Sequence, residues 1–402
     1  MSIQTYITLL FILGYPLQYV STKAYYNGSV GLFCSEVRRW NSIADPNQYE
    51  LTVWPITKEK SCKCSLLGLN NAGEVVGVLN EGQQLFYYSA TDRKQVLIDT
   101  GGAKIRDAFI NNQGIVVAVI ELGGRTQGIG TWSKGDVFKR FSTIEASRIL
   151  IAAVSDLMIA GYHVDKEGNE RPLLVTYEGL DVSLDFSGRI QAMNDNSDIG
   201  GQIEIDGKQM FFYKSINADD VTLVSLEETY NKEGSVRWVG RNNNSLIQYR
   251  DKELTTVILW RSQDASGQSH TLYRFPFTDL SLRSMNQEGI AVGYIGGFGE
   301  FFSGLIWNSH SSDCIIIGDD DDLVVCRSIT DGGSVVGFSD NHGMFYWSNE
   351  EGLLYLNKLL KTDSYFETLY LPVNINTRKQ IIGYGRTRTG TEAMFFAELS
   401  TK

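Results

Sequence analysis

The sequence has few prolines, few histidines and no excess of positive charge. Of its 402 residues, 6 are proline and 4 are histidine, and 36 Lys and Arg stand against 47 Asp and Glu. The resulting net charge of −11 argues against nucleic-acid binding, because a nucleic-acid interface needs a basic face. The chain also lacks the Gly-x-Ser-x-Gly, phosphate-loop and His-Glu-x-x-His motifs of common enzyme classes. No enzymatic chemistry is therefore indicated by a local motif.

No apolar run approaches the roughly 20 residues that a membrane-spanning helix needs. The run Ile7–Tyr15 instead has the length of the apolar region of a signal peptide, and Thr22 and Ala24 are small residues suited to a cleavage site. We expect residues 1–24 to be a signal peptide, although no Lys or Arg precedes the apolar run; the alternative is a buried first strand or helix. The mature protein would then be secreted, periplasmic or on the cell surface, without a membrane span.

The cysteines are too few and too unevenly placed to define a disulfide framework. There are five of them, so they cannot all pair within one chain. Cys314 and Cys326 flank a turn and are placed to pair across two strands, and Cys62 or Cys64 is placed to reach Cys34. The alternative is that most are free, buried and apolar in character. A zinc site is not indicated, because Cys62-x-Cys64 lacks the usual spacing.

Glycine and aromatic residues, in contrast, are abundant. The chain has 40 Gly, 20 Tyr, 19 Phe and 7 Trp, which is the composition of many short strands joined by turns. A motif of an apolar residue, Asn, two variable residues, Gly, and an apolar pair followed by Gly recurs at intervals of about 44 residues. Its Asn positions are Asn70, Asn111, Asn194, Asn286 and Asn376, with Thr330 in place of Asn in a further copy and two degenerate copies at Val154 and Asn242.

The chemistry of the motif predicts a tight turn followed by a buried strand. Asn bonds its own downstream backbone, and the first Gly supplies a positive φ. Seven residues beyond the Asn position, six of the eight copies have glycine, namely Gly77, Gly161, Gly201, Gly293, Gly337 and Gly383. Glycine inside a strand predicts that another backbone segment passes close by, and we expect this crowding near the axis of a ring of sheets.

The repeats predict an all-β fold, namely a β-propeller of eight blades, with seven as the alternative. An aromatic-ended strand and a further apolar strand follow most copies of the motif, so each blade would hold about four short antiparallel strands. The last copy ends early, and the unassigned strand Tyr49–Trp54 would complete it and close the ring. The domain division is therefore 25–66 for an N-terminal segment and 67–402 for the repeats. Ser35–Ile43 has room for a short helix.

The repeat resembles the HAF repeats, which are named for a His-Ala-Phe triplet and occur in bacterial proteins thought to be extracellular. The resemblance covers Leu67–Leu399 and includes the Asn and Gly positions. The triplet differs, because the corresponding segments, such as Gln84-Leu-Phe86 and Ala393-Met-Phe395, keep Phe but never have His. The resemblance implies a propeller-like secreted or surface protein, and it implies no catalytic residues.

Two groups of residues are candidates for ligand contacts. The run Asp319, Asp320, Asp321 and Asp322 offers carboxylate oxygens for Ca²⁺, although a like-charged run more often forms a solvated turn. The non-repeating aromatic residues Tyr294, Phe298, Phe301 and Phe302 are expected to form an exposed binding patch.

We interpret the chain as a monomeric, non-enzymatic binding or scaffold module for a protein or a glycan. No cofactor is required by this interpretation. One alternative is a propeller glycoside hydrolase or lyase that uses carboxylates at the mouth of the channel. Another is an intracellular interaction platform that keeps its N-terminus.

Overall fold

The computed structural model describes an almost entirely β-stranded chain. It covers residues 36–40, 43–56, 65–123, 126–141, 146–182, 184, 186–218, 221–224, 234–240, 244–250, 255–263, 267–275, 280–296, 302–308, 313–318 and 322–402. Across these ranges there is no α-helix, and the only helical elements are short 3₁₀ turns at Pro46–Gln48, Asn80–Gly82 and Leu356–Leu359. No helix in this part of the chain is long and apolar enough to cross a membrane.

The strands are numbered in chain order. The first sixteen are β1 Glu36–Trp40, β2 Tyr49–Pro55, β3 Ser65–Leu69, β4 Glu74–Leu79, β5 Gln84–Ser89, β6 Lys94–Ile98, β7 Lys104–Ile110, β8 Val116–Gly123, β9 Thr126–Trp132, β10 Lys139–Arg140, β11 Arg148–Val154, β12 Met158–Val164, β13 Glu170–Thr176, β14 Gly188–Met193, β15 Ile199–Ile205 and β16 Lys208–Lys214. The others are β17 Thr222–Val224, β18 Ser235–Val239, β19 Asn244–Arg250, β20 Thr255–Gln263, β21 Gly267–Phe275, β22 Leu280–Met285, β23 Ile290–Gly296, β24 Phe302–Asn308, β25 Asp313–Ile317, β26 Val324–Ile329, β27 Val335–Ser339, β28 Gly343–Ser348, β29 Gly352–Tyr355, β30 Phe366–Ile375, β31 Gln380–Thr387 and β32 Glu392–Thr401.

These strands form eight sheets, which we number by their order along the chain. Sheet 1 is β3–β6, sheet 2 is β7–β10, sheet 3 is β11–β13, sheet 4 is β14–β17, sheet 5 is β18–β21, sheet 6 is β22–β25, sheet 7 is β26–β29 and sheet 8 is β30–β32. Within each sheet, consecutive strands pair antiparallel. Each sheet is thus a meander of one repeat, as the period of the motif predicts.

The hydrophobic core lies between consecutive sheets. The Val75 and Val76 side chains of the motif point to opposite faces of β4, and both are fully buried. Val75 belongs to a cluster with Ile382 and Phe396 of sheet 8, whereas Val76 belongs to a cluster with Ile105 of sheet 2. Every such strand is therefore covered on both sides by neighbouring sheets, and this explains why its apolar residues are adjacent in sequence.

The sheets follow one another around a propeller. The first strand of a sheet contacts the first strand of the next, as in the pairs β3 and β7, β14 and β18, β22 and β26, and β26 and β30. Strand β30 also contacts β3, which brings the last sheet beside the first. The first strands therefore form the inner ring, and the fold class that the sequence predicts is confirmed.

Residues 36–40 and 43–56 run along the outer edges of the last three sheets, and we call them the N-terminal strap. Strand β2 pairs antiparallel with β32 over its whole length, from Tyr49 opposite Thr401 to Pro55 opposite Phe395. This confirms the ring-closing strand predicted from the sequence. The strap also pairs β1 in parallel with β25 of sheet 6, and the Ala44 amide donates to the Leu353 carbonyl of sheet 7 at 2.8 Å.

Two expectations about the N-terminal half of the strap and the cysteines are wrong. Residues 36–40, where the sequence has room for a short helix, form β1, because β25 offers an open edge to them. The Cys314–Cys326 pair does not form. Cys326 is a free, buried thiol whose pKa burial raises, whereas Cys314 is disulfide-bonded. The other three cysteines, Cys34, Cys62 and Cys64, lie outside the described residues.

Candidate functional site

The Asn of each repeat organises the turn between the first and second strands of its sheet. The Asn70 Oδ1 atom accepts hydrogen bonds from the backbone amides of Ala72 at 3.0 Å and Glu74 at 2.9 Å. The same pair of bonds recurs at Asn111, Asn194 and Asn376, with small differences in length. At Asn286 the Oδ1 atom accepts from the Ile290 amide at 2.9 Å. The turn also contains Gly73, whose φ of +81° suits glycine. This local geometry is the one that the motif predicts.

The Asn side chain also links each sheet to the next, which the sequence did not indicate. The Asn70 Nδ2 atom donates to the Asn111 carbonyl at 2.9 Å, and Asn286 donates to the Thr330 carbonyl at 3.0 Å. The last link closes the ring, since Asn376 Nδ2 donates to the Asn70 carbonyl at 2.9 Å. We call this series of bonds the amide ladder. All five motif asparagines are buried, so each link is protected from water.

The degenerate copies take part in the ladder through different residues. Asn111 donates to the Ser155 carbonyl at 3.3 Å, one residue beyond Val154. Asn194 donates to the Gly240 carbonyl at 3.0 Å, and Asn242 itself lies outside the described residues. Ser155 and Gly240 are therefore aligned with the asparagines. Gly240 and Thr330 have no side-chain amide that could donate to the next sheet. Sheets 7 and 8 are instead linked by a 2.7 Å hydrogen bond from the Ser328 hydroxyl to Asn374 Oδ1.

The repeat glycines lie on the second strands, where a side chain has no room. A Cβ atom at Gly201 or Gly293 would overlap the backbone carbonyl of Arg189 or Ser281 on the first strand of the same sheet. The corresponding carbonyls at the other positions are Ser65 for Gly77, Leu150 for Gly161, Val325 for Gly337 and Leu371 for Gly383. In each of these sheets the first strand bulges beside the glycine. The close approach therefore comes from a bulge within the sheet, and not from crowding between sheets as expected.

Asp322, the one described residue of the acidic run, has a structural role. It is buried, and its carboxylate accepts hydrogen bonds from the Ser339 hydroxyl and, at 3.2 Å, from the Asn341 amide. It therefore holds the turn between β27 and β28. Asp319, Asp320 and Asp321 lie outside the described residues, and the described ones contain no group of three or more potential metal ligands. The calcium site stays a prediction.

Two of the predicted binding aromatics lie against each other. The rings of Tyr294 and Phe302 meet edge to face with their centroids 5.0 Å apart. The guanidinium carbon of Arg283 lies 5.3 Å from the centroid of the Tyr294 ring, which is within cation–π distance. Phe298 and Phe301 lie outside the described residues. The described part of the patch is therefore an aromatic pair with an arginine on it.

Arg283 is one of three arginines at equivalent positions of consecutive inner strands. Arg237, Arg283 and Arg327 each lie at the β-bulge of a first strand, in sheets 5, 6 and 7. Each comes three residues before the aligned residue of the amide ladder. Arg237 and Arg283 are exposed and Arg327 is half-buried. We call these three residues the arginine arc.

The arginines of the arc lack acidic partners in the part of the chain that the structure describes. Among the described residues, no carboxylate forms an ion pair with any of its three members. Burial, and then the charge of Arg283, lower the pKa of the Arg327 guanidinium below its usual value. Arg106, which also lies at a bulge of a first strand, forms an ion pair with Glu121. The arc therefore concentrates positive charge on one side of the inner ring of an acidic protein.

The arc was missed from the sequence, although the repeats contain a signal for it. The position three residues before the ladder residue is Arg in three successive repeats, and elsewhere it is Leu67, Ala108, Ala152, Gln191 or Val373. Aligning the repeats on Gly240 in place of Asn242 would have shown the three arginines in one column. That alignment depends on the hydrogen bond from Asn194, which only the structure reveals.

The comparisons with known proteins give no family. No family model matches the sequence, so the HAF-repeat resemblance is not confirmed, and no curated protein matches it either. Among solved structures, the Dos1 propeller is similar at 9% identity and a TM-score of 0.49, over 86% of this chain and 94% of that one. AztD of Citrobacter koseri is similar at 10% identity and a TM-score of 0.46, over 76% and 93%. A streptogramin B lyase is similar at 9% identity and a TM-score of 0.39, over 88% and 98%.

Proposed function

We propose that this protein is a non-enzymatic binding module that recognises an anionic ligand through the arginine arc. The proposal rests on one observation: three equivalent inner strands in a row each present an arginine that has no carboxylate partner in the described residues. Arg327 is half-buried beside Arg283, so its charge is unfavourable until an anion approaches. An anionic ligand would remove this cost through charge-assisted hydrogen bonds.

The arc favours binding over hydrolysis. A glycoside hydrolase needs a pair of carboxyl groups on either side of the scissile bond. The described side chains brought together here are three arginines and the Tyr294–Phe302 pair, which supply charge complementarity and contact area and include no pair of carboxyl groups. A protein or a glycan that carries anionic groups could be this ligand, and the chain would then act as its scaffold.

The binding function is tested by calorimetric titration with anions and their neutral counterparts. We expect the wild-type protein to bind at least one of sulfate, citrate, triglutamate and trigalacturonate. In the Arg283→Gln/Arg327→Gln variant the affinity should fall about tenfold or more, because charge-assisted bonds contribute about 1.5–3 kcal/mol each. Arg106→Gln is the matched control, since it removes a bulge arginine outside the arc. Absence of binding by every anion, equal binding by the double variant, or cleavage of the sugar would refute the proposal.

We further propose that the protein is exported. The support is the disulfide bond of Cys314, because stable disulfides are typical of oxidising compartments, together with the apolar run at Ile7–Tyr15. Mass spectrometry of the mature N-terminus is the test. A start near Tyr25 supports cleavage after Ala24, whereas an intact Met1 or Ser2 supports an intracellular platform.

A further inference from the structure

At the position of the arc, arginine occurs in three consecutive sheets of the inner ring. At the position of the arc, the other five sheets have Leu67, Ala108, Ala152, Gln191 and Val373, none of which is charged. A ligand held by the arc therefore meets three cations in a row, whereas Leu67 and Val373 at the equivalent position pack into the clusters between sheets. This arrangement selects a ligand whose anionic groups lie in a row.

The net charge of the protein limits the size of that ligand. The chain carries −11 overall, and fields are screened over about 8–10 Å at physiological salt. Close to the arc the three arginines dominate, but a long polyanion would extend into regions where the protein repels it. The arc therefore favours a short ligand.

The chemistry of the arc indicates carboxylates carried on rings. The planar guanidinium fork matches a carboxylate with two parallel hydrogen bonds. Three arginines on consecutive inner strands are more than one small anion covers. The half-buried Tyr294 ring beside Arg283 adds a flat apolar surface, on which the carbon face of a sugar ring can rest.

On the basis of the proposed function, we infer that the ligand is a short oligosaccharide of carboxylate-bearing sugars. Its carboxylates would bind Arg237, Arg283 and Arg327 in turn, and one sugar ring would rest on Tyr294. An acidic peptide supplies the same charges without the sugar rings. The test must therefore distinguish an acidic oligosaccharide from an acidic peptide.

The inference is tested with trigalacturonate as the probe and triglutamate, monogalacturonate and a neutral trisaccharide as comparisons. We expect trigalacturonate to bind about tenfold more tightly than each of the others, since each supplies fewer charges or no sugar rings. Tyr294→Leu should weaken trigalacturonate binding more than it weakens citrate binding, because only the sugar loses the surface on which it rests. Tyr294→Phe, which keeps the aromatic ring, should bind trigalacturonate with the same affinity as the wild type. The cooperative unfolding of both variants shows whether they are folded.

Two results would overturn the sugar assignment. The first is triglutamate binding as tightly as trigalacturonate, and the second is no binding of trigalacturonate at all. In either case, binding of citrate or triglutamate that the Arg283→Gln/Arg327→Gln variant loses would preserve the proposed anion-binding function. If the wild-type protein binds none of these anions, both proposals are refuted.

Discussion

A chain that lacks residues 1–56, and with them the whole strap, is expected to lose cooperative unfolding and to aggregate. The deletion removes Tyr49 and Leu51 from the core of sheet 8, and it exposes the edges of β25 and β32. Exposed edges pair with other chains, and an incomplete ring leaves apolar faces in water. Thermal denaturation followed by circular dichroism and light scattering measures the loss.

A matched pair of substitutions tests whether the buried side chains of the strap stabilise the fold. Leu51 and Thr52 are neighbours on β2, but Leu51 is 3% exposed and Thr52 faces solvent. Leu51→Asp should lower the free energy of unfolding by about 4 kcal/mol, because it buries a charge in an apolar cluster. Thr52→Asp should change it by about 0.5 kcal/mol or less. Unchanged melting of the truncated chain would show that the strap does not close the ring.

Replacement of Asn376 by Asp is expected to destabilise the propeller by about 3 kcal/mol, since a buried carboxylate would face a carbonyl without a donor. The substitution preserves the Oδ1 atom, which accepts from the Arg378 and Gln380 amides. It removes only the Nδ2 donor, which bonds the Asn70 carbonyl and the Gln380 side chain. Denaturant titration would report the change as a lower midpoint with a similar slope.

Asn112→Asp is the control for this ladder variant. Asn112 is exposed and uses its Oδ1 atom to accept from the Asn71 amide, so the substitution adds the same charge without removing a donor that the structure uses. Its free energy of unfolding should stay within about 0.5 kcal/mol of the wild type. Equal destabilisation by both variants would mean that the amide ladder contributes nothing beyond charge.

The architecture was predictable from the sequence because its determinants are local. Asn70 and Gly73 specify their turn through their own backbone chemistry, and the pair Val75 and Val76 specifies a doubly buried strand. These signals recur about every 44 residues, and a repeat of that length predicts a β-propeller. The closing strand β2 was predictable for the related reason that the last repeat is one strand short.

The features that the sequence did not indicate all depend on contacts between distant segments. Strand β1 pairs in parallel with β25, nearly three hundred residues away, and five residues without a strong pattern do not reveal such pairing. The role of Gly201 depends on a bulge in the neighbouring strand, and so does the position of each arginine in the arc. The patch at Tyr294 and Phe302 was predicted because these aromatic residues do not follow the repeat, and that reasoning does not include the arginine that lies on Tyr294.

The adjacency of the first and last repeats is tested most directly by a disulfide engineered between them. Thr377 of the last repeat donates its amide and hydroxyl to Asn71 Oδ1, at 3.3 and 3.1 Å, although the two residues are 306 positions apart. Under mild oxidation, Asn71→Cys/Thr377→Cys should form the new bond, as seen by non-reducing peptide mapping, while Asn71→Cys/Gln287→Cys, which joins sheets three places apart, should not. Failure of the first pair to cross-link, or cross-linking of both pairs alike, would contradict a ring in which sheet 8 meets sheet 1.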